Sequence, residues 1–218
     1  ASDVYKRQGH GGPETVFDNT GIISENREEA ASYDRDKPSI ALGFEFNPNN
    51  GNTGHVDISY QHYWQSDLEI RNSSVAILGQ RYERIAKHKT MDLSGDYAFD
   101  FGNGRLKLIA LYNEGRQQEQ SSVKYSSLNK PSYESERQDK LGESILRSEL
   151  SWPFADADWQ WSLEGAYNYL DRYLDEVDSK VDELRVETNV SYSKSLNPTL
   201  GLQLSLGVEV SEISQSGN

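Results

Sequence analysis

The stretch Trp159-Gln160-Trp161-Ser162-Leu163-Glu164-Gly165-Ala166-Tyr167-Asn168-Tyr169 decides how this chain folds. Its odd positions, Trp159, Trp161, Leu163, Gly165, Tyr167 and Tyr169, are aromatic, aliphatic or glycine, and its even positions are polar or small. Successive side chains of a strand point to opposite faces, so a period of two makes one greasy face and one polar face. A soluble sheet packs the greasy face inward. Two features point to lipid instead. The tryptophans open the strand directly after the turn Phe154-Ala155-Asp156-Ala157-Asp158, and the opposite face carries Glu164 and amides in mid-span. Amphipathic rings at strand ends mark the interfaces of a membrane barrel, whose lumen accepts polar groups.

Outward from this stretch the same alternation recurs. Ile40, Leu42, Phe44 and Phe46 share a phase after Pro38, and the chain returns through Val56, Ile58, Tyr60, His62 and Trp64. Leu93, Tyr97, Phe99 and Phe101 run into the turn Gly102-Asn103-Gly104, which suits positive φ. Leu106, Leu108, Ala110 and Tyr112 lead away from it. Leu146, Leu150, Trp152 and Phe154 lead down to the central turn. Leu184, Val186, Val190 and Tyr192 precede the turn Lys194–Pro198. The final strand is the cleanest, with Leu200, Leu202, Leu204, Leu206, Val208 and Val210 on one side.

This pattern predicts an all-β, antiparallel, up-and-down transmembrane β-barrel segment of about eight strands over residues 38–216. Tight connections near 47–54, 102–104, 154–158 and 194–198 alternate with expected long loops near 67–80, 113–140 and 171–180. Outer-membrane barrels pair short periplasmic turns with longer extracellular loops. Aromatics gather beside the tight turns: Phe44, Phe46, Phe99, Phe101, Trp152, Phe154, Trp159, Trp161 and Tyr192. These are the expected membrane-interface residues. Residues 9–37 read as a polar loop with a possible hairpin around Asp18-Asn19-Thr20-Gly21. Residues 1–8, Ala-Ser-Asp-Val-Tyr-Lys-Arg-Gln, resemble an in-frame translation of a sequencing adapter, and such scars are excluded from fold reasoning.

Composition agrees. Of the 218 residues 35% are hydrophobic, too few for an obvious dry core but enough for a barrel with one lipid face. The greasiest piece, Leu106 to Tyr112, is interrupted by Lys107 and falls far short of the roughly 18 residues of a spanning helix. There is no cysteine, hence no disulfide framework or thiolate metal site. A net charge of −13 argues against nucleic acid as a partner.

Several runs resemble the barrel of TonB-dependent outer-membrane receptors. They are Gly104-Arg105-Leu106-Lys107-Leu108-Ile109-Ala110-Leu111, Gly142 to Trp152, Leu163 to Asp171, and the tail Leu206 to Gly217. The resemblance covers roughly residues 14–217 and rests more on order and spacing than on any one run. It implies a bacterial outer-membrane receptor that takes up a scarce nutrient such as a ferric siderophore. It also implies a barrel of about 22 strands, and a plug domain through which TonB delivers energy. These residues include no plug and no TonB box, and the sequence reads as an internal barrel fragment. The alternative is a complete small outer-membrane barrel with a structural or adhesive role. A barrel enzyme would need a Ser/His pair at one rim, and nothing singles out His88 with Thr90 or Ser94.

No catalytic, cofactor or metal motif stands out. His10, His55, His62 and His88 lack ligand spacing, and the acids Asp171, Asp175, Glu176, Asp178, Asp182 and Glu183 read first as a solvated loop. Expected ligand contacts lie on the long loops: Arg116, Tyr125, Tyr133, Arg137 and Tyr173. Arginine and aromatic side chains on exposed loops are the usual ligand-contacting types.

Overall fold

In the computed structural model, residues 5–48, 51–75, 79–127 and 130–217 are described. They form one antiparallel sheet. The strands are β1 (Tyr5–Phe17), β2 (Ile23–Asp36), β3 (Ser39–Phe46), β4 (Thr53–Ser73), β5 (Gln80–Phe101), β6 (Gly104–Tyr125), β7 (Tyr133–Phe154), β8 (Ala157–Leu174), β9 (Val177–Asn197) and β10 (Leu200–Gly217). From β4 to β10 every strand pairs with its sequence neighbours, a meander. β2 and β3 both pair with β4 in one unbroken register, from Arg27↔Ser73 through Asp36↔Trp64 and Ser39↔Gln61 to Phe46↔Gly54. They are one long strand interrupted at Lys37-Pro38, where the ladder survives as His62 N–H donating to the Pro38 carbonyl at 3.0 Å. Proline tolerates this place because it needs no donor on an edge.

The strand content exceeds the expected eight, and the differences have one cause. The polar stretch 9–37 does hold a hairpin around Asp18–Gly21, but its arms are the long strands β1 and β2 rather than a loop. There the Asp18 carboxylate accepts the Thr20 and Ile22 N–H groups (2.8 and 2.9 Å) and Gly21 takes φ +81°. The supposed long loops are also mostly strand. Arg116 and Arg137 lie well inside β6 and β7, and the connection between those strands runs only from Ser126 to Ser132. Asp175 and Glu176 alone join β8 to β9, both at positive φ (47° and 75°). Strands above a bilayer have water on both faces, so nothing enforces alternation there while the backbone ladder continues. Of the tight turn 47–54, Asn49 and Asn50 lie outside the described residues, as do Ala1–Val4 of the adapter-like segment. Its remaining residues extend β1.

One register row crosses eight chain segments: Phe44, Val56, Gly95, Ala110, Leu146, Gly165, Val186 and Val210. Leu202, Leu204 and Leu206 accordingly share the face of Trp161 and Leu163, as their common phase requires. Against this row the lower turns fall steadily further down, at Phe46, Phe101, Phe154 and Asn197. The slip is roughly one and a half residues per strand. With strands about 4.8 Å apart and a rise of about 3.3 Å, that is a tilt of roughly 40–45°, within the range of membrane barrels. The 22 residues of β5 then stand roughly 55 Å tall, about twice the 25 Å of an apolar band.

The sheet is open. β10 pairs only with β9, and no ladder among the described residues joins it to β3 or β1. A complete small barrel would need that ladder.

Candidate functional site

Among the described residues nothing packs on the apolar face. Leu206 is 78% exposed and Leu146 70%, and Phe44, Leu204, Val208 and Val210 are exposed as well. The buried alanines Ala86, Ala98 and Ala166 and the buried acids Glu25 and Asp139 have the opposite, polar phase, whereas the buried Ala157, beside the lower turn, has the apolar one. The accessible area is 15313 Å², against roughly 10,000 Å² for a compact chain of this mass. A sheet curled toward its polar side crowds charged groups and leaves aliphatics outside, the inverse of a soluble fold.

Around the lower turns the outer face is aromatic. Trp152, Trp159 and Tyr192 are register partners, with ring centroids 6.5 Å apart for the stacked tryptophans and 5.0 Å for the edge-on Trp159–Tyr192 pair. The Trp161 indole N–H donates to Thr188 Oγ1 at 2.9 Å. Phe44, Phe46, Phe99, Phe101, Phe154 and Trp161 share this phase.

The concave face is an ion-pair lattice. In its lower half Glu164, with 16% of its side chain exposed, lies 3.0 Å from Arg185 and 3.7 Å from Arg147, which also holds Glu149 at 2.8 Å. Higher up, Asp139 is 3% exposed between Arg137 and Arg172, with Arg172 Nε at 2.9 Å. Arg84 bridges Glu119 (2.8 Å) and Asp67 (3.5 Å). Tyr63 and His88 meet edge to face at 5.3 Å, and Arg35 lies 5.6 Å from the Tyr63 ring. Buried charge survives only when paired, and Arg84, Arg137, Arg147, Arg172 and Arg185 each hold a carboxylate. Sequence reading missed this lattice because its ion pairs are spread over β4 to β9 and most of them form across register.

The five expected ligand residues separate. Tyr125, Tyr133 and Arg137 have the concave phase near the tall end, whereas Arg116 and Tyr173 have the outer phase. The concave three are already engaged. Lys130 sits 4.7 Å over the Tyr125 ring, Arg137 grips Asp139, and the Tyr133 hydroxyl donates to Asp175 at 3.3 Å. Asp175 also accepts the Glu136 N–H at 2.9 Å and the Ser135 hydroxyl at 3.1 Å, clipping the β8–β9 turn onto the start of β7. The Glu136 N–H above all, then the two hydroxyls, holds its carboxyl below the usual range. The acids around 171–183 point to both faces, and no group of three metal-ligating side chains converges among the described residues.

No protein-family model and no curated protein matches the chain. Solved structures with a similar path include the ferric citrate transporter FecA in its unliganded form. It is 7% identical, over 78% of this chain and 33% of that one, with a TM-score of 0.44. The Escherichia coli outer-membrane transporter YddB is 9% identical, over 97% and 34%, with a TM-score of 0.38. The Escherichia coli outer-membrane protease OmpT is 10% identical, over 100% and 91%, with a TM-score of 0.31. The chain spans about a third of the two transporters. The reading of its environment comes from the sheet itself. Bare aliphatic columns, a tilt near 40° and a polar concave face are stable together only with lipid outside, and spanning sheets of this kind are barrels of outer membranes. The chain is a wall segment of a bacterial outer-membrane β-barrel.

Proposed function

We propose that this wall belongs to a TonB-dependent receptor that takes up a scarce nutrient, a ferric siderophore being the leading class. The observation that carries the reading is strand height. Roughly 30 Å of paired, polar sheet stands beyond a 25 Å apolar band, and the sheet curves without closing on itself. A pore or enzyme of eight strands needs no such tower, whereas a receptor needs a tall vestibule that captures ligand before transport. The runs at 104–111, 142–152, 163–171 and 206–217 resemble that family. Energy would enter through TonB acting on a plug domain outside these residues. The nine lower aromatics would anchor the wall at the periplasmic interface.

Within the vestibule Tyr125, Tyr133 and Arg137 are the ligand-facing members, since the concave phase looks into the lumen. Arg116 and Tyr173 have the outer phase, away from the lumen. The test uses the full-length receptor in cells offered labelled ferric citrate, hydroxamate and catecholate chelates. Replacing Tyr125, Tyr133 and Arg137 together by alanine should cost 2 kcal/mol or more, roughly a thirtyfold loss of affinity for the transported chelate. Replacing Tyr173 alone should leave affinity unchanged. Equal uptake by the triple variant at normal surface expression removes these residues from the site, and uptake of none of the chelates refutes siderophore transport.

A further inference from the structure

On the outer face, two register steps above the Phe44–Val210 row, tyrosines begin to replace aliphatics: Tyr60, Tyr112, Tyr167 and Tyr169. Immediately beyond them runs a different row: His62, Lys89, Arg116, Lys140, Asp171 and Lys180, each opposite the next across the ladder. Lys89, Arg116 and Lys140 are three cations in direct register on adjacent strands, an arrangement that destabilises a sheet unless something anionic lies over it. Lys87, also exposed, adds a fourth one step higher on β5, with Trp64 and Gln118 as its cross-strand neighbours. Among the described residues neither Lys87 nor Lys89 has a carboxylate within ion-pair distance. The chain is strongly acidic overall, so a cationic cluster on its lipid side is not a by-product of composition.

The surroundings orient these cations. Glu114 holds Arg116 Nε at 2.8 Å and lies 4.0 Å from Lys140 Nζ, and its carboxylate accepts the Tyr112 and Tyr169 hydroxyls at 2.9 and 3.2 Å. Lys140 Nζ also sits 5.1 Å over the Tyr169 ring. Tyr169 lies against Gly142, where an added Cβ would come within 2.6 Å of the ring. Glu114 and, at the margin, Asp171 are the carboxylates facing this cluster. One acid holds the guanidinium at its Nε, and 61% of the Arg116 side chain stays exposed. From the lower turns, Lys89 and Arg116 are 12 residues up their strands, or roughly 30 Å at the observed tilt. That lies just past the 25 Å hydrocarbon band, at headgroup level. Below the tyrosines, roughly 15 Å further down at this tilt, Gly95, Ala110 and Gly165 leave a shallow apolar trough of about 640 Å³ with Val56, Leu108, Leu146 and Leu163.

We propose that Lys87, Lys89, Arg116 and Lys140 bind the phosphate groups of a phosphorylated, multiply acylated lipid of the outer leaflet, whose chains lie along the trough below. The inference rests on the lipid-wall reading but not on siderophore uptake. Charge complementarity at headgroup level, continuous with an apolar surface of acyl-chain width, selects this occupant over a soluble anion. The test reconstitutes the full-length protein in phosphatidylcholine nanodiscs and adds a bisphosphorylated acylated glucosamine disaccharide lipid, its dephosphorylated form, or inorganic phosphate. Bound lipid is counted by native mass spectrometry. Retention of the bisphosphorylated lipid is expected, with Lys89→Gln/Arg116→Gln/Lys140→Gln binding it roughly a hundredfold more weakly. Arg81→Gln/Lys124→Gln, outward cations nearer the rim, should bind as the parent does. Dephosphorylated lipid should bind the unaltered protein no better than the triple variant binds the phosphorylated form, a comparison that stands even if the triple variant does not fold. Equal retention of both lipids, or displacement by inorganic phosphate at matched charge, overturns the proposal. Failure of the unaltered protein to enter the lipid-free-of-charge nanodisc would instead refute the wall itself.

Discussion

Leu108→Arg places a charge on the outer face near the middle of the proposed hydrocarbon band. Leu108 sits four residues up β6 from Gly104, hence roughly 10 Å above the lower turn at a 40° tilt. It is 45% exposed to its surroundings and shares its row with Tyr97 and Ser148, so the guanidinium meets no carboxylate there. If those surroundings were water, an arginine at a half-exposed strand position would change stability by about 0.5 kcal/mol or less. If they are acyl chains, the cost is about 2–4 kcal/mol, the range for arginine at a bilayer midplane. The control is Gln160→Arg, at similar height on the concave face beside Glu187 and Glu164, where water and carboxylates receive the charge. The assay is reversible urea unfolding of the full-length barrel in phosphatidylcholine vesicles, read by tryptophan fluorescence, with both variants compared at one m-value. A loss of 2 kcal/mol or more for Leu108→Arg and under 1 for Gln160→Arg is expected. The reverse order, or equal small effects, would refute the assignment of lipid to the face that bears Trp159 and Leu206.

Two further outcomes follow from the turns. Ala155 and Asp156 both hold positive φ (55° and 56°), a hairpin geometry that favours Asn-Gly, so Ala155→Asn/Asp156→Gly should raise the urea-derived stability by about 1 kcal/mol; a decrease would refute the strain. The Asp175 clip depends on ionisation. Because its folded pKa lies below the ordinary value, its contribution is present above the unfolded pKa and is lost as pH falls through the lowered one. Amide exchange at Glu136 should therefore quicken below the ordinary carboxylate range, and Asp175→Asn should abolish that acid dependence while leaving the lower turns unchanged.

The lower half of the fold was legible because lipid on one side and lumen on the other force a period of two. Leu200 to Val210 alternates without a break, and Trp152, Trp159 and Tyr192 could be placed on one face from spacing alone. The upper half was not legible for the converse reason. Above the Arg116–Lys140 row both faces meet water, so polar residues occupy both phases and a strand reads as a loop. For the same reason Arg116 and Arg137 looked like members of one site, although strand parity sends them to opposite faces.

By itself, the sequence determined the fold class, the lipid phase and the position of the lower turns, since each is local: a side-chain period, a turn residue, an aromatic at a strand end. Tertiary structure alone decided which distant charges meet. Asp139 finds Arg172 on the next strand, and Lys89, Arg116 and Lys140 line up across three strands. Such neighbours are set by register and by a slip of about one and a half residues per strand. A shift of a single residue would send every one of these side chains to the other face of the wall.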